Sequence, residues 1–187
     1  YKFALSAGKH TLTFVGDGYT VAIADVALSG PENPQKYTDV SAKYDYSKNE
    51  ADKIIIIEGE DAEVKSDNSL IPKATNGNAG MSPASPRISR LNFIGGSTWN
   101  AAGQMLKWNF TVEKSGYYKF GTRYKQSDLV NGESWRWLMI DGKTPFSEAK
   151  ELRFVYGTNW QHYQFGGEKP YYIWLEAGEH TVSLQVT

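Results

Sequence analysis

At 187 residues the chain is long enough for one full domain, or for one domain and a fragment of another. A formal charge of −1, with scattered basic residues, gives no field for steering onto nucleic acid or an anionic membrane, and the lack of cysteine excludes disulfide frameworks, thiolate metal sites and a cysteine nucleophile. No apolar run nears the roughly 20 residues that span a bilayer, so no direct membrane insertion is expected, while six Trp and twelve Tyr point to a large aromatic core or a stacking surface.

Tyr1 in place of methionine suggests a mature or excised piece. Residues 1–30 read as β segments: Phe3 and Leu5 alternate, Ala7-Gly8 turns, Leu12 and Phe14 alternate, Gly16-Asp17-Gly18 turns, and Val21, Ile23, Val26 and Leu28 close the segment. Asn33-Pro34 has the form of an N-cap followed by a first-turn proline, and Tyr37, Val40 and Tyr44 fall at i, i+3 and i+7. A short helix to about Ser47 is expected there, inside a linker over 31–53. The main module then runs from 54 to 187. Ile54–Ile57 reads as a buried strand, Glu58-Gly59-Glu60-Asp61 breaks it, and Ala62–Lys65 resumes it. Asp67–Ser89, rich in Asn, Gly, Ser and Pro, reads as a long irregular loop. Leu91–Ile94 is a short strand.

Residues 103–126 organise the rest. Leu106, Trp108, Phe110 and Val112 point one way and Met105, Lys107, Asn109 and Thr111 the other. Glu113-Lys114-Ser115-Gly116 turns the chain, and Tyr118, Phe120, Thr122 and Tyr124 resume the period of two. The pattern predicts an antiparallel hairpin with one face buried. Trp135–Ile140 follows as a strand closed by an Asp141-Gly142 turn. Phe146–Phe165 reads mostly as loop, with a strand near Arg153–Val155, and Tyr171–Leu175 with His180–Val186 reads as a second hairpin.

One internal repeat resets the domain count. Tyr1–Phe14 (YKFALSAGKHTLTF) matches Tyr171–Leu184 (YYIWLEAGEHTVSL) at a constant offset of 170. Residues 1–30 therefore read as the closing strands of a preceding β-sandwich, expected to pack on or complete the main one, because an unpaired sandwich edge invites aggregation. The predicted fold is an all-β jelly-roll sandwich with a short linker helix and an N-terminal β fragment.

With the Glu58-Gly59-Glu60-Asp61-Ala62 start, the 103–126 stretch and the Ala-Gly-x-His-Thr finish, the chain resembles carbohydrate-binding modules of the galactose-binding jelly-roll type. It is similar, more narrowly, to paired sandwich regions of large extracellular solute-binding lipoproteins of Gram-positive bacterial sugar ABC transporters. The runs that carry this likeness are Arg90–Trp99, Arg123-Tyr124-Lys125-Gln126, Ile140–Ala149 and Phe154–Gln161. Lys125 stands where that family has arginine. The resemblance implies an extracellular, cell-surface setting anchored through a parent lipoprotein, with the rest of that protein and a saccharide as partners and no nucleic acid. It also implies a structural calcium at Glu58 and Glu60, where hard Ca²⁺ would take several oxygen ligands; by pattern Asp25 fills the role of the usual third carboxylate.

Trp99, Trp135, Trp137, Tyr156, Trp160 and Tyr163 are the aromatics that could stack on a sugar's C–H face. Trp99 and Trp160 follow Gly-, Ser- or Thr-rich loops, where ligand residues concentrate, whereas Trp108 and Trp174 read as core. Arg90, Asn92, Lys125, Gln126 and Asn159 could hydrogen-bond a glycan, or else tie down the loop before residue 90. His10 and His180 hold the same repeat position and read as turn caps. No GxSxG, HExxH or phosphate-binding loop is present, and Glu58 with Glu60 implies no cleft, so no catalysis is expected. Two functions stay open: a non-catalytic carbohydrate-binding module of a sugar-capture lipoprotein, and a structural spacer or protein-docking sandwich with no glycan ligand.

Overall fold

The computed structural model describes residues 5–16, 18, 20, 22, 23, 26, 33–45, 47, 53–75, 81–85 and 87–187. The chain divides into two compact units, Tyr1–Pro31 and Glu32–Thr187. In the first, no hydrogen-bonded strand occurs among the described residues, and Leu5, Leu12, Phe14, Ile23 and Val26 are exposed. A short β segment without partner strands has no ladder to hold it. Its turn is nevertheless well defined. Gly8 takes φ +143°, and His10 Nε2 lies 2.7 Å from the Ser6 carbonyl. In the second copy, 170 residues on, Gly178 takes φ +142° and His180 Nε2 lies 2.8 Å from the Glu176 carbonyl. The repeat is thus a repeat of local geometry, with the histidine closing the turn in both copies.

The second unit is a β-sandwich. In chain order its described strands are β1 Val64–Lys65, β2 Pro72–Ala74, β3 Leu91–Ile94, β4 Met105–Val112, β5 Gly116–Lys119, β6 Gly121–Tyr124, β7 Glu133–Ile140, β8 Leu152–Val155, β9 Gln161–Gln164, β10 Tyr172–Leu175 and β11 Gly178–Val186. One layer is a five-stranded antiparallel sheet, β1-β4-β11-β7-β8. The facing layer is a long ribbon: β5 pairs with β10 and β6 with β9, so 116–124 runs against 161–175 with residues 166–170 looped out. β2 and β3 form a third, short ribbon. Leu106, Trp108 and Phe110 of β4, Leu138 of β7, Phe154 of β8 and Leu184 of β11 meet Phe165, Ile173 and Leu175 across the core. Alternation explains why these residues face inward and their neighbours outward.

Neither predicted hairpin is a hairpin. β4 and β5 do not pair; the chain crosses from one layer to the other at 113–115, and again at 176–177 between β10 and β11. The two crossings lie side by side, since Leu175 opposes Gly116 and Gly178 opposes Val112. Ser115 clamps them: its Oγ donates to Glu176 Oε2 at 2.8 Å and accepts from the Ala177 N–H at 2.8 Å.

Other differences are local. Ile54–Ile57 is extended but lies in no ladder; Ile55 and Ile57 pack on the core while Ile54 and Ile56 are exposed. The stretch read as a long loop holds β2, and the stretch read as mostly loop holds β9. The helix is one turn, Tyr37–Ser41, with Lys36 and not Asn33 at its N-cap. Tertiary bonds hold that turn. The Tyr37 N–H donates to Glu148 Oε2 at 2.8 Å, its hydroxyl accepts from the Tyr172 N–H at 3.0 Å, and Tyr44 Oη donates to the Tyr172 carbonyl at 2.9 Å. Residues 35–45 are therefore a strap across the ribbon, covering Tyr117 together with Trp174. Trp174 points outward to this strap side, since Ile173 and Leu175 take the core. The Asp141-Gly142 turn forms as predicted, with φ of 50° and 71° and Ile140 bridging to Lys143, the left-handed pair of a two-residue hairpin turn.

Candidate functional site

The ends of β3, β6 and β8 and the starts of β4, β7 and β9 come together at one end of the sandwich. The 156–160 connection is tied there from both sides: the Gly157 N–H donates to the Gln126 carbonyl at 2.7 Å and the Tyr156 N–H to the Gly132 carbonyl at 3.1 Å. This puts Trp160 against Phe93 of β3, edge to face at 5.7 Å. Lys73 and Phe93 sit opposite each other in the β2–β3 ribbon on its outward side, and exposed Leu91 continues that side. Trp160 is half-buried and stands outside the main core cluster, and Asn159 beside it is exposed. The result is an apolar ledge with an indole, a phenyl ring and an amide at its rim.

The other predicted residues divide between rim and scaffold. Arg90 and Lys125 are exposed. Asn92 is 4% exposed and accepts from the Thr75 N–H at 2.9 Å while donating to the Thr75 and Pro83 carbonyls, so it ties down the preceding loop instead of meeting a ligand. Gln126 is likewise spent on its own loop, accepting from the Leu129 N–H and donating to the Leu129 and Gly132 carbonyls.

Trp99 is also structural. Its indole N–H donates to the Gln104 carbonyl at 3.3 Å, and the Arg136 guanidinium lies 4.3 Å from its ring centre. Arg136 donates to the Trp99 and Trp135 carbonyls, and burial lowers its pKa to about 10. Gly95 makes this packing possible: it takes φ +90°, and a Cβ there would meet Trp99 at 3.1 Å. Lys73 Nζ closes the loop by donating to the Gly95 carbonyl at 2.7 Å and to Thr98 Oγ1 at 3.2 Å. Sequence reading missed Lys73 and Phe93, because β2 was hidden inside the loop; the alternation of Leu91 and Phe93 was the available signal.

Glu58, Glu60 and Asp61 form a single 3₁₀ turn beside β3. Desolvation raises the Glu60 carboxyl, against the backbone N–H that favours its charged form, and the neighbouring Glu58 and Asp61 charges raise it further. Glu60 Oε2 is enclosed with no hydrogen-bond partner. An enclosed carboxylate oxygen of this kind suits a hard cation. Among the described residues no group of three acid, His or Cys side chains could hold a metal, and Asp25 lies outside the described residues. At the opposite end His180 and Asp141 pair at 2.7 Å.

No protein-family model matches the chain, and no curated protein does. Among solved structures, a family 35 carbohydrate-binding module from Clostridium thermocellum superposes with TM-score 0.50 at 18% identity, covering 71% of this chain and 85% of that one. The fold is that module's jelly roll. A second module of family 35, from an environmental isolate, superposes with TM-score 0.48 at 20% identity, over 71% of this chain and 82% of that one. A cycloisomaltooligosaccharide glucanotransferase of Paenibacillus sp., complexed with cycloisomaltoheptaose, matches with TM-score 0.49 at 21% identity over 74% of this chain. This chain covers only 17% of that protein's length. Among the described residues no helix is long and apolar enough to cross a membrane.

Proposed function

We propose that the second unit is a non-catalytic carbohydrate-binding module and that its ligand rests on the loop-end ledge. The observation that carries this reading is the Trp160–Phe93 pair, standing outside the core at the end of the sandwich with exposed Asn159 beside it. An aromatic face takes the C–H side of a pyranose, and a few polar groups then fix its orientation. Arg90, Lys125 and Asn159 are the exposed polar residues of the predicted set; Trp99, Asn92 and Gln126 shape the ledge from behind. A calcium ion at Glu58 and Glu60 would be structural, holding the turn next to β3. The setting we infer is extracellular, as the glycan-capture part of a cell-surface solute-binding lipoprotein.

Titrating intrinsic Trp fluorescence against a panel of soluble glycans tests the reading. W160A is expected to weaken binding about tenfold or more, while W108F, which alters only the core, leaves it intact. A folded protein that answers no glycan would favour the spacer or protein-docking role.

A further inference from the structure

The two faces of the sandwich are finished differently. The strap covers the outer side of the β5–β10 ribbon. On the five-stranded sheet, Arg136 and Leu138 of β7 point inward and Trp135 and Trp137 outward. Trp135 is 39% exposed although β7 is an interior strand, flanked by β11 and β8. Trp135 is open in the middle of the sheet face and half-buried Trp137 extends it, and a contiguous aromatic patch of this kind, unlike a lone exposed side chain, marks a contact surface. Two side chains at i and i+2 of a strand stand about 7 Å apart, so the indoles form a stepped platform along β7.

The groups around them say what kind of ligand fits. Gln185 lies opposite Trp137, and Arg153 opposite Trp135. Arg153 is already paired with Glu133, and Lys150 Nζ sits 5.3 Å from the Trp137 ring centre. The Trp137 N–H donates to Thr144 Oγ1 at 3.0 Å, which holds that ring in place. Arg153, Glu133 and Lys150 are thus engaged within the protein, and the Gln185 amide flanks Trp137 from β11. An anionic ligand would have to break the Arg153–Glu133 pair; a neutral, hydroxyl-bearing one would not.

We propose that the outer face of the five-stranded sheet is a second glycan-binding surface, on which an extended, uncharged polysaccharide lies across Trp135 and Trp137. It is separate from the loop-end ledge and stands whether or not that ledge binds.

Affinity electrophoresis of the full chain in gels containing mixed-linkage β-glucan, xylan, galactomannan or dextran tests it, comparing wild type with W135A, W135F and W160A. With at least one polymer, W135A is expected to lose about tenfold in affinity and W135F to stay within about threefold. In W160A the Trp135-dependent part should remain. If W135A migrates like wild type in every gel while keeping its melting temperature, the sheet-face site does not exist, and a W160A-sensitive signal in the same gels would leave the ledge standing alone. The converse pattern removes the ledge and keeps the sheet face. A self-association seen by sedimentation and abolished by W135A would overturn the proposal in favour of a second copy of this chain.

Discussion

Burial raises the Glu60 carboxyl above its ordinary value, so its favourable contribution is complete at acid pH and is lost as pH rises through the raised value. Once ionised, Glu60 is a cost unless a cation meets it. E60Q should therefore melt higher than wild type in chelator, whereas added calcium should raise the melting temperature of wild type only. A wild type indifferent to calcium would end the case for the ion. His180 behaves differently. Burial lowers its pKa, but the Asp141 bond, the Glu176 carbonyl and the two acidic charges outweigh burial and leave it raised. Asp141 is pulled upward by desolvation, yet the Thr181 N–H and His180 hold it low. The His180 contribution is present below about pH 6.5 and fades as pH rises through the raised value; that of Asp141 is present above about pH 4 and fades as pH falls through the lowered one. Wild type should accordingly lose melting temperature on going from pH 6 to the alkaline side, and H180A should show a flatter alkaline limb.

Side-chain alternation put Leu106, Trp108, Phe110 and Val112 on one face of β4, and that face is the buried one, because a period of two depends only on the strand and its core. It could not tell a hairpin from a crossing. Leu106 to Val112 and Tyr118 to Phe120 alternate in the same way whether the two segments pair or face each other across a core, and Glu113–Ser115 serves either geometry. The Ala-Gly-x-His-Thr run was legible as a turn in both copies, while its place at a layer crossing was not. Two substitutions probe that crossing. G178A puts a side chain at φ +142° where its Cβ meets nothing within 4 Å, so the expected loss of about 1–2 kcal/mol is backbone strain alone. S115A removes the clamp and leaves the Ala177 N–H exposed to water, and should lose about 1 kcal/mol or less. Chemical denaturation at fixed pH measures both, and a silent G178A would mean that the turn relaxes into another form.

At the scale of the whole unit, the residues of the proposed ledge were legible only in part. Trp160 and Asn159, read as ligand candidates from their loop, stand at the rim of the proposed ledge, whereas Asn92, Gln126 and Trp99, chosen on the same grounds, are fastened: Gln126 within its own loop, Asn92 by Thr75 and Trp99 by Arg136, two partners distant in sequence. The strap was read as a linker helix for the same reason: Tyr37 and Tyr44 are held by Tyr172 and Pro170, and no local pattern announces that. Y37F would remove the bond from the Tyr172 N–H to the Tyr37 hydroxyl and should cost about 1 kcal/mol, with faster hydrogen exchange along β10 as the specific sign. The strand order β1-β4-β11-β7-β8 carries one more consequence. The centre of the sheet is made from the final residues of the unit, so on the ribosome everything up to residue 177 emerges with β4 and β7 still unjoined. β4 and β7 therefore gain their shared neighbour only once residues 178–186 have left the exit tunnel, whereas the β5–β10, β6–β9 and β7–β8 ladders are made of residues that emerge before it.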